Sequence, residues 1–332
     1  MKIVFFSAKP YDREYFDLYN KPYGFKIEYF ETHLGPHIVN AVEDADAVCV
    51  FVNDKLDAGT IRILASKKIK IIALRCAGFN NVDLESAREL GIKVCRVPAY
   101  SPEAVAEHAA AMVLTLNRKT HKAYNRVREQ NFSLNGLLGF NLHGKTAGVI
   151  GTGKIGAAFC RIMQGFGTRV LATDMVENEE LKSGGVVYLT LPEILEQSDI
   201  ISLHCPLTKE THHMFNQQTL AMMKPGAMLI NTSRGGLICT KDVIEGLKKG
   251  RPGYLGIDVY EQEEKIFFRD LSGKIIDDDE IQRLMSFPNV LITAHQAFFT
   301  KEALIQIAET TLGNISRLAA GTQPDSPGAV LA

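Results

Sequence analysis

Three stretches in the second half of the chain end in side chains suited to acting on a carbonyl group. The segment 228-MLINTSRGG-236 carries Arg234, 256-GIDVYEQEEK-265 carries Asp258, Glu261, Glu263 and Glu264, and 290-VLITAHQAFFT-300 carries His295. An arginine at a strand end offers a planar fork of donors that fits a carboxylate and can polarise a neighbouring carbonyl. A histidine can hand a proton to an oxygen that is gaining charge, and take it back in the reverse direction. A nearby carboxylate favours the imidazolium that such a step requires. Spacing alone does not choose among the three glutamates, and a lone Arg or His at a strand end is commonly structural. The combination points to hydride exchange at a carbonyl beside a carboxylate.

Such chemistry needs a hydride carrier, and 148-GVIGTGKIG-156 supplies the pattern for one. An apolar strand runs into Gly151, and 154-KIGAAFCRIM-163 leaves as a helix. Gly151 would allow the tight turn, Gly153 the close approach of backbone to a pyrophosphate, and Gly156 the packing of helix on strand. The next apolar run, 169-RVLATD-174, ends in Asp174, 18 residues after Gly156. A carboxylate there accepts from ribose hydroxyls and repels a 2′-phosphate. No Lys or Arg follows in 175-MVENEE-180, so NAD is expected rather than NADP.

The elements that must position these groups read as two α/β series. The first has strands predicted over 2–7, 26–30, 46–52, 69–75 and 93–97, with helices over 57–68 and 82–91. A single long helix is expected over 102–130, with Ser101 as N-cap and Pro102 at its first position. The second series follows from 146, and a helix over 300–321 precedes a short polar tail. Alternation of this kind implies parallel sheets covered by helices.

Composition narrows the class of function. Lys plus Arg number 37 and Asp plus Glu 38 in 332 residues, which gives no electrostatic footprint for nucleic acid or an anionic membrane. Six scattered cysteines without a CxxC pair argue for a reducing compartment. The apolar start is too short for a signal peptide, and no run approaches a spanning helix, so a cytoplasmic protein is expected. His204, the 212-HH-213 pair and the acidic 277-DDDE-280 stretch are read as structural or solvated rather than as metal sites.

With LHCPLTKETHHMF, LRCAGFNNVD and YSPEAVAEH added to the motifs above, the chain resembles the D-isomer-specific 2-hydroxyacid dehydrogenases over roughly residues 70–300, closest to their bacterial D-lactate-forming branch. The resemblance implies reduction of pyruvate to D-lactate with NADH, with related enzymes for bulkier 2-oxo acids or hydroxypyruvate and a non-enzymatic NADH-sensing scaffold as alternatives. It implies that Arg234 binds and polarises the substrate, His295 is the general acid/base and Glu263 its partner. Lys154, Ile155, Asp174, Cys205, Pro206, Thr211, Thr232 and Asp258 would line the NAD site. Cys76, Ala77 and Gly78, with Arg75 nearby, would face the substrate carboxylate, and Tyr100 and Phe299 would close around its side chain. Cys76-Ala77 stands where relatives often carry Asn-Val, and Thr211 where they often carry Asn. No metal is implied. The fold implied is two Rossmann-like or flavodoxin-like doubly wound parallel-sheet domains with a cleft between them: 1–100 plus 300–332 for substrate, and 101–299 for NAD. A homodimer or higher homo-oligomer is implied as well.

Overall fold

The computed structural model describes all residues 1–332 and divides into two compact units, Met1–Ser101 with Phe299–Ala332, and Pro102–Phe298. Both are α/β.

The first unit is built on five parallel strands, β1 (Lys2–Phe5), β2 (Lys26–Tyr29), β3 (Ala47–Val50), β4 (Ile71–Leu74) and β5 (Lys93–Arg96), in the order β2-β1-β3-β4-β5. The inner strands β3 and β4 are buried on both faces, which is why they read as unbroken apolar runs rather than alternating ones. Helix Ala58–Ser66 starts where Asp57 accepts from Thr60 N, and Leu84–Glu89 where Asp83 accepts from Ser86 N. Helix Lys301–Ala319 returns to this unit, and Asn314 Nδ2 donates to Arg96 O at 2.9 Å. The terminal tail is more than a polar appendage: it bridges Val330 to Cys95 antiparallel, with Leu331 N donating to Val94 O and Val94 N to Ala332 O.

The second unit holds seven parallel strands, β6 (Thr146–Ile150), β7 (Arg169–Thr173), β8 (Val187–Tyr188), β9 (Ile200–Leu203), β10 (Met228–Asn231), β11 (Tyr254–Ile257) and β12 (Val290–Ile292). Their order, β12-β11-β10-β9-β6-β7-β8, reverses direction between β6 and β9. Open sheets of this kind bind ligands outside the strand carboxyl ends at such a reversal. Gly151 and Cys205 follow those two strand ends.

The expected single helix over 102–130 is two, Pro102–Arg118 and Thr120–Arg128. Lys119 breaks it with φ +50°, and the returning segment holds the break. Asn117 bonds both N and O of Phe140, while Lys119 Nζ donates to Gly136 O and Leu138 O. The acidic stretch 277–280 is likewise not a plain loop: Asp278 caps helix Asp279–Ser286 through Glu280 N and Ile281 N, and also accepts from Tyr260 Oη.

Candidate active site

Two of the three glycines of the β6 turn, Gly151 and Gly156, are placed by close contacts. Gly151 has φ +89°, and a Cβ there would lie 2.6 Å from Cys205 N. A Cβ on Gly156 would lie 1.9 Å from Gly151 O, so the helix could not approach the turn. A Cβ on Gly153 would meet nothing within 4 Å. Gly153 caps helix Lys154–Gly165 without a side chain, which leaves the first N–H groups open to an anion. Lys154 is exposed and Ile155 half-buried at that end.

Asp174 lies at the end of β7. Its Oδ2 accepts from Thr152 N at 2.5 Å and Thr152 Oγ1 at 3.1 Å, and Oδ1 from Met175 N at 2.7 Å. Thr152 Oγ1 in turn accepts from Tyr188 Oη at 2.9 Å. Thr152 and Tyr188 were not marked by any motif, although Thr152 sits between two of the glycines that were. The hollow beside Asp174 is also lined by Glu177 and Glu193, with no Lys or Arg. Its charge suits ribose hydroxyls and opposes a phosphate ester.

A dinucleotide fits this end of the sheet on a further observation: Thr232 Oγ1, just past β10, is buried without a partner in the chain, a polar atom that a ligand could satisfy. Cys205 lies almost buried, its thiol pushed up to about 11 by burial, and its carbonyl accepts from Ser233 Oγ at 2.6 Å. Pro206 is exposed, and its carbonyl accepts from Thr211 Oγ1 at 2.7 Å. The Thr211 side chain thus ties its own turn together.

Arg234 follows β10 in extended backbone, with Asn231 Nδ2 donating to its carbonyl at 2.8 Å. Its guanidinium donates to Ser233 O and pairs with no carboxylate of the chain, so its fork remains for an anionic ligand.

His295 and Glu263 meet directly: Nδ1 lies 2.8 Å from Glu263 Oε1, with the two side chains 18% and 17% exposed. Glu263 Oε2 accepts from Tyr260 N at 3.0 Å. The carboxylate is therefore held at both oxygens, and the imidazole keeps Nε2 for another partner. The geometry chooses among the three glutamates: Glu263 takes His295, Glu261 takes His213 at 2.6 Å, and Glu264 points to neither.

His295 has φ +52°, unusual for a residue with a Cβ. Asp258 holds it there. The Asp258 carbonyl accepts from His295 N at 2.7 Å, and its carboxylate accepts from Gln296 N, Ala297 N and Thr293 Oγ1 at 2.9, 2.9 and 2.5 Å. His108 Nε2 lies 3.4 Å away. Asp258 is 0% exposed. Burial alone would raise its pKa, but these bonds outweigh burial and hold it below the ordinary value. The Asp258 carboxylate thereby ties the His295 loop to the end of β11. His108 and Thr293 enter through the same bonds and were marked by nothing except their helix and strand.

Arg75 lies inside the first unit. It is 2% exposed, paired with Asp12, bonded to Phe6 O and Ser7 O, and enclosed between the rings of Phe5 and Phe51 at 4.5 and 4.6 Å. Four of its five N–H donors are used inside the first unit. In the loop after β4, Cys76 is buried with Sγ 3.4 Å from Gly78 O, while Ala77 and Gly78 are half-buried. Tyr100 is half-buried, and Phe299 is 49% exposed with its ring edge-on to Tyr11.

His204 serves as a contrast to His295. Its Nε2 bonds Ser202 Oγ at 2.9 Å, its Nδ1 is buried without a partner, and burial lowers its pKa to about 3. It stays neutral at physiological pH.

Comparison with known proteins shows the family and the fold. The family model described as D-isomer specific 2-hydroxyacid dehydrogenase, NAD binding domain, matches residues 110–297. The chain is 52% identical to a 2-hydroxyacid dehydrogenase homolog of Haemophilus influenzae over 97% of both chains. It is 51% identical to the D-lactate dehydrogenase of Escherichia coli over 97% of this chain and 98% of that one. The apo structure of D-lactate dehydrogenase from Escherichia coli superimposes with a TM-score of 0.91, covering 100% of both chains at 48% identity.

Proposed function

The chain belongs to the D-isomer specific 2-hydroxyacid dehydrogenase family, and from that premise we propose that it is an NAD-dependent D-lactate dehydrogenase reducing pyruvate reversibly to D-lactate. The observation that carries the reading is the His295–Glu263 pair at 2.8 Å with the far imidazole nitrogen left over, in a chain similar end to end to a D-lactate dehydrogenase.

When bound, NADH supplies the hydride. The open helix end at Gly153, with Lys154 and Ile155, holds the pyrophosphate, and Asp174 takes the ribose hydroxyls. Cys205, Pro206, Thr232 and Asp258 would line the rest of the cofactor site, with Thr211 shaping the turn at Pro206. Arg234 receives the substrate carboxylate and draws electron density from the 2-oxo group. His295 Nε2 delivers the proton to that oxygen, and in reverse accepts it from the hydroxyl. Glu263 accepts a hydrogen bond from Nδ1–H, which orients the ring and fixes its tautomer. Cys76, Ala77, Gly78, Tyr100 and Phe299 are proposed as substrate-facing on the family resemblance alone.

A cytoplasmic homodimer is part of the proposal. Phe132, Leu134 and Leu138 are 73–87% exposed, an apolar surface that a second copy would cover. Sedimentation equilibrium tests it, and a monomer at micromolar concentration would contradict it.

The deciding assay is steady-state NADH oxidation with pyruvate, phenylpyruvate, 2-oxoisocaproate and hydroxypyruvate, with the product's chirality determined. Highest kcat/KM on pyruvate with D-lactate formed supports the reading. Preference for a bulkier acid moves the substrate, and L-product rejects the assignment. Asp174→Ala is expected to narrow the preference for NADH over NADPH, and an unchanged ratio would place the ribose contact elsewhere.

A further inference from the structure

Beside the pair just described lies a cluster that the proposed reaction does not use. His212, His213 and Glu261 each bring one ligand atom to within 4.8 Å of the others. We propose that these three side chains form a Zn²⁺ site that slows turnover when filled.

The donor set is the first support. Two imidazoles and a carboxylate form a three-ligand set that Zn²⁺ accepts, with water in the fourth position. Second, the ligands are already oriented. Glu261 Oε2 is fixed by Thr240 N at 3.1 Å and Thr240 Oγ1 at 2.8 Å, so Oε1 is aimed at His213 Nε2 without any ion present. Anchoring of this kind, behind the coordinating atom, is what metal carboxylates carry. Third, the backbone is bent to bring both rings to one side. His213 has φ +52°, its N–H bonds Gly236 O at 2.8 Å, and its ring stacks on that of His212 at 3.8 Å and 28°. A simple half-exposed ion pair, with a contribution of about 0–1 kcal/mol, requires neither the strained residue nor the second imidazole. Fourth, an ion can enter from solvent: His212 is exposed, and the His213 and Glu261 side chains are 34% and 26% exposed. Coordination bonds of about 2.0–2.2 Å need ligand atoms about 3.3 Å apart, so side-chain movements of up to about 1.5 Å would close the site.

The cluster touches the loops of Arg234 and Glu263. A Cβ on Gly235 would lie 2.1 Å from the Tyr260 carbonyl carbon, and one on Gly236 would lie 3.6 Å from the His212 ring. An ion replacing the Glu261–His213 hydrogen bond would separate those two atoms and shift the segments leading to Arg234 and Glu263. This coupling rests on the roles proposed for those two residues; the binding site does not.

The test is calorimetric titration of ZnCl₂ into the full-length, chelator-treated protein, beside the same titration of His212→Gln and His213→Gln. The expected result is one Zn²⁺ per chain, with affinity reduced ~10-fold or more in each variant. Because His213 sits in strained backbone, exposed His212→Gln is the decisive variant. In parallel, Zn²⁺ should lower kcat with pyruvate at unchanged KM for NADH, and EDTA should restore it. His212→Gln should keep its basal turnover and resist the ion. No binding, or equal binding by wild type and His212→Gln, overturns the site. Binding as expected without loss of turnover overturns the coupling. Absence of turnover in metal-free enzyme refutes the proposed function, and the calorimetric result still decides the site.

Discussion

Glu261 and Glu263 stand two residues apart after β11, and each holds a histidine, at 2.6 and 2.8 Å. What separates them is the use of the second oxygen and the depth of the pair. Glu263 spends its other oxygen on Tyr260 N, within its own loop, and the pair is about one-sixth exposed. Glu261 spends its other oxygen on the start of helix Thr240–Lys248, in wetter surroundings, with a second imidazole alongside. The Glu263 pair presents one free nitrogen at the end of a rigid loop, as proton transfer requires. The Glu261 group presents several lone pairs to solvent. Asp258, from the same strand end, is a third member: it is buried completely and its carboxylate accepts from the two backbone N–H groups that follow His295.

This three-way contrast can be broken at each member. His295→Gln should lower kcat by ~10²–10⁴-fold while NADH affinity, measured by fluorescence, stays near wild type. Loss of NADH binding with intact turnover per bound cofactor would remove His295 from the chemistry. Asp258→Asn should cost about 3 kcal/mol of stability, read as a fall in the urea midpoint. Because its native pKa is depressed, the stability Asp258 contributes is complete above the ordinary value of about 3.9. It is lost as pH falls through the lower native value. The variant should therefore show a flatter acid limb, and an unchanged limb would mean that the His295 loop is held otherwise. Glu263→Gln keeps the shape and loses the charge. A charged hydrogen bond contributes about 1.5–3 kcal/mol, so kcat should drop ~10- to 150-fold. If Glu261→Gln lowered it equally, the choice between the two glutamates would fail. The expected effect of Glu261→Gln in metal-free buffer is the smallest, at most about 1 kcal/mol of stability with turnover near wild type.

Two parallel-sheet domains and the glycine turn were legible because their requirements are local: strand, Gly151, Gly153, Gly156 and helix are neighbours in the chain. Thr152 escaped notice because its partners, Asp174 and Tyr188, lie 22 and 36 residues away. The glutamates could not be ranked by spacing, since Glu263 finds its histidine 32 residues onward and Glu261 finds one 48 residues back. The resemblance puts Arg75 near the substrate. Only the fold brings Asp12 to it from 63 residues away. The helix break at Lys119 depends on Asn117 reaching Phe140, a contact that helical periodicity does not encode.

The tail that bridges Val330 to Cys95 also bears on solubility. β5 is an outer strand of the first sheet, and a bare outer strand is a template on which another chain can add by backbone pairing. The tail occupies that template with the protein's own residues. At the opposite margin, β2 turns Lys26 and Glu28 outward, and charges discourage the same event. The first sheet is therefore guarded at one margin by chain and at the other by charge. Removing the last residues would expose that border to backbone pairing with another chain, while leaving every residue of the proposed active site in place.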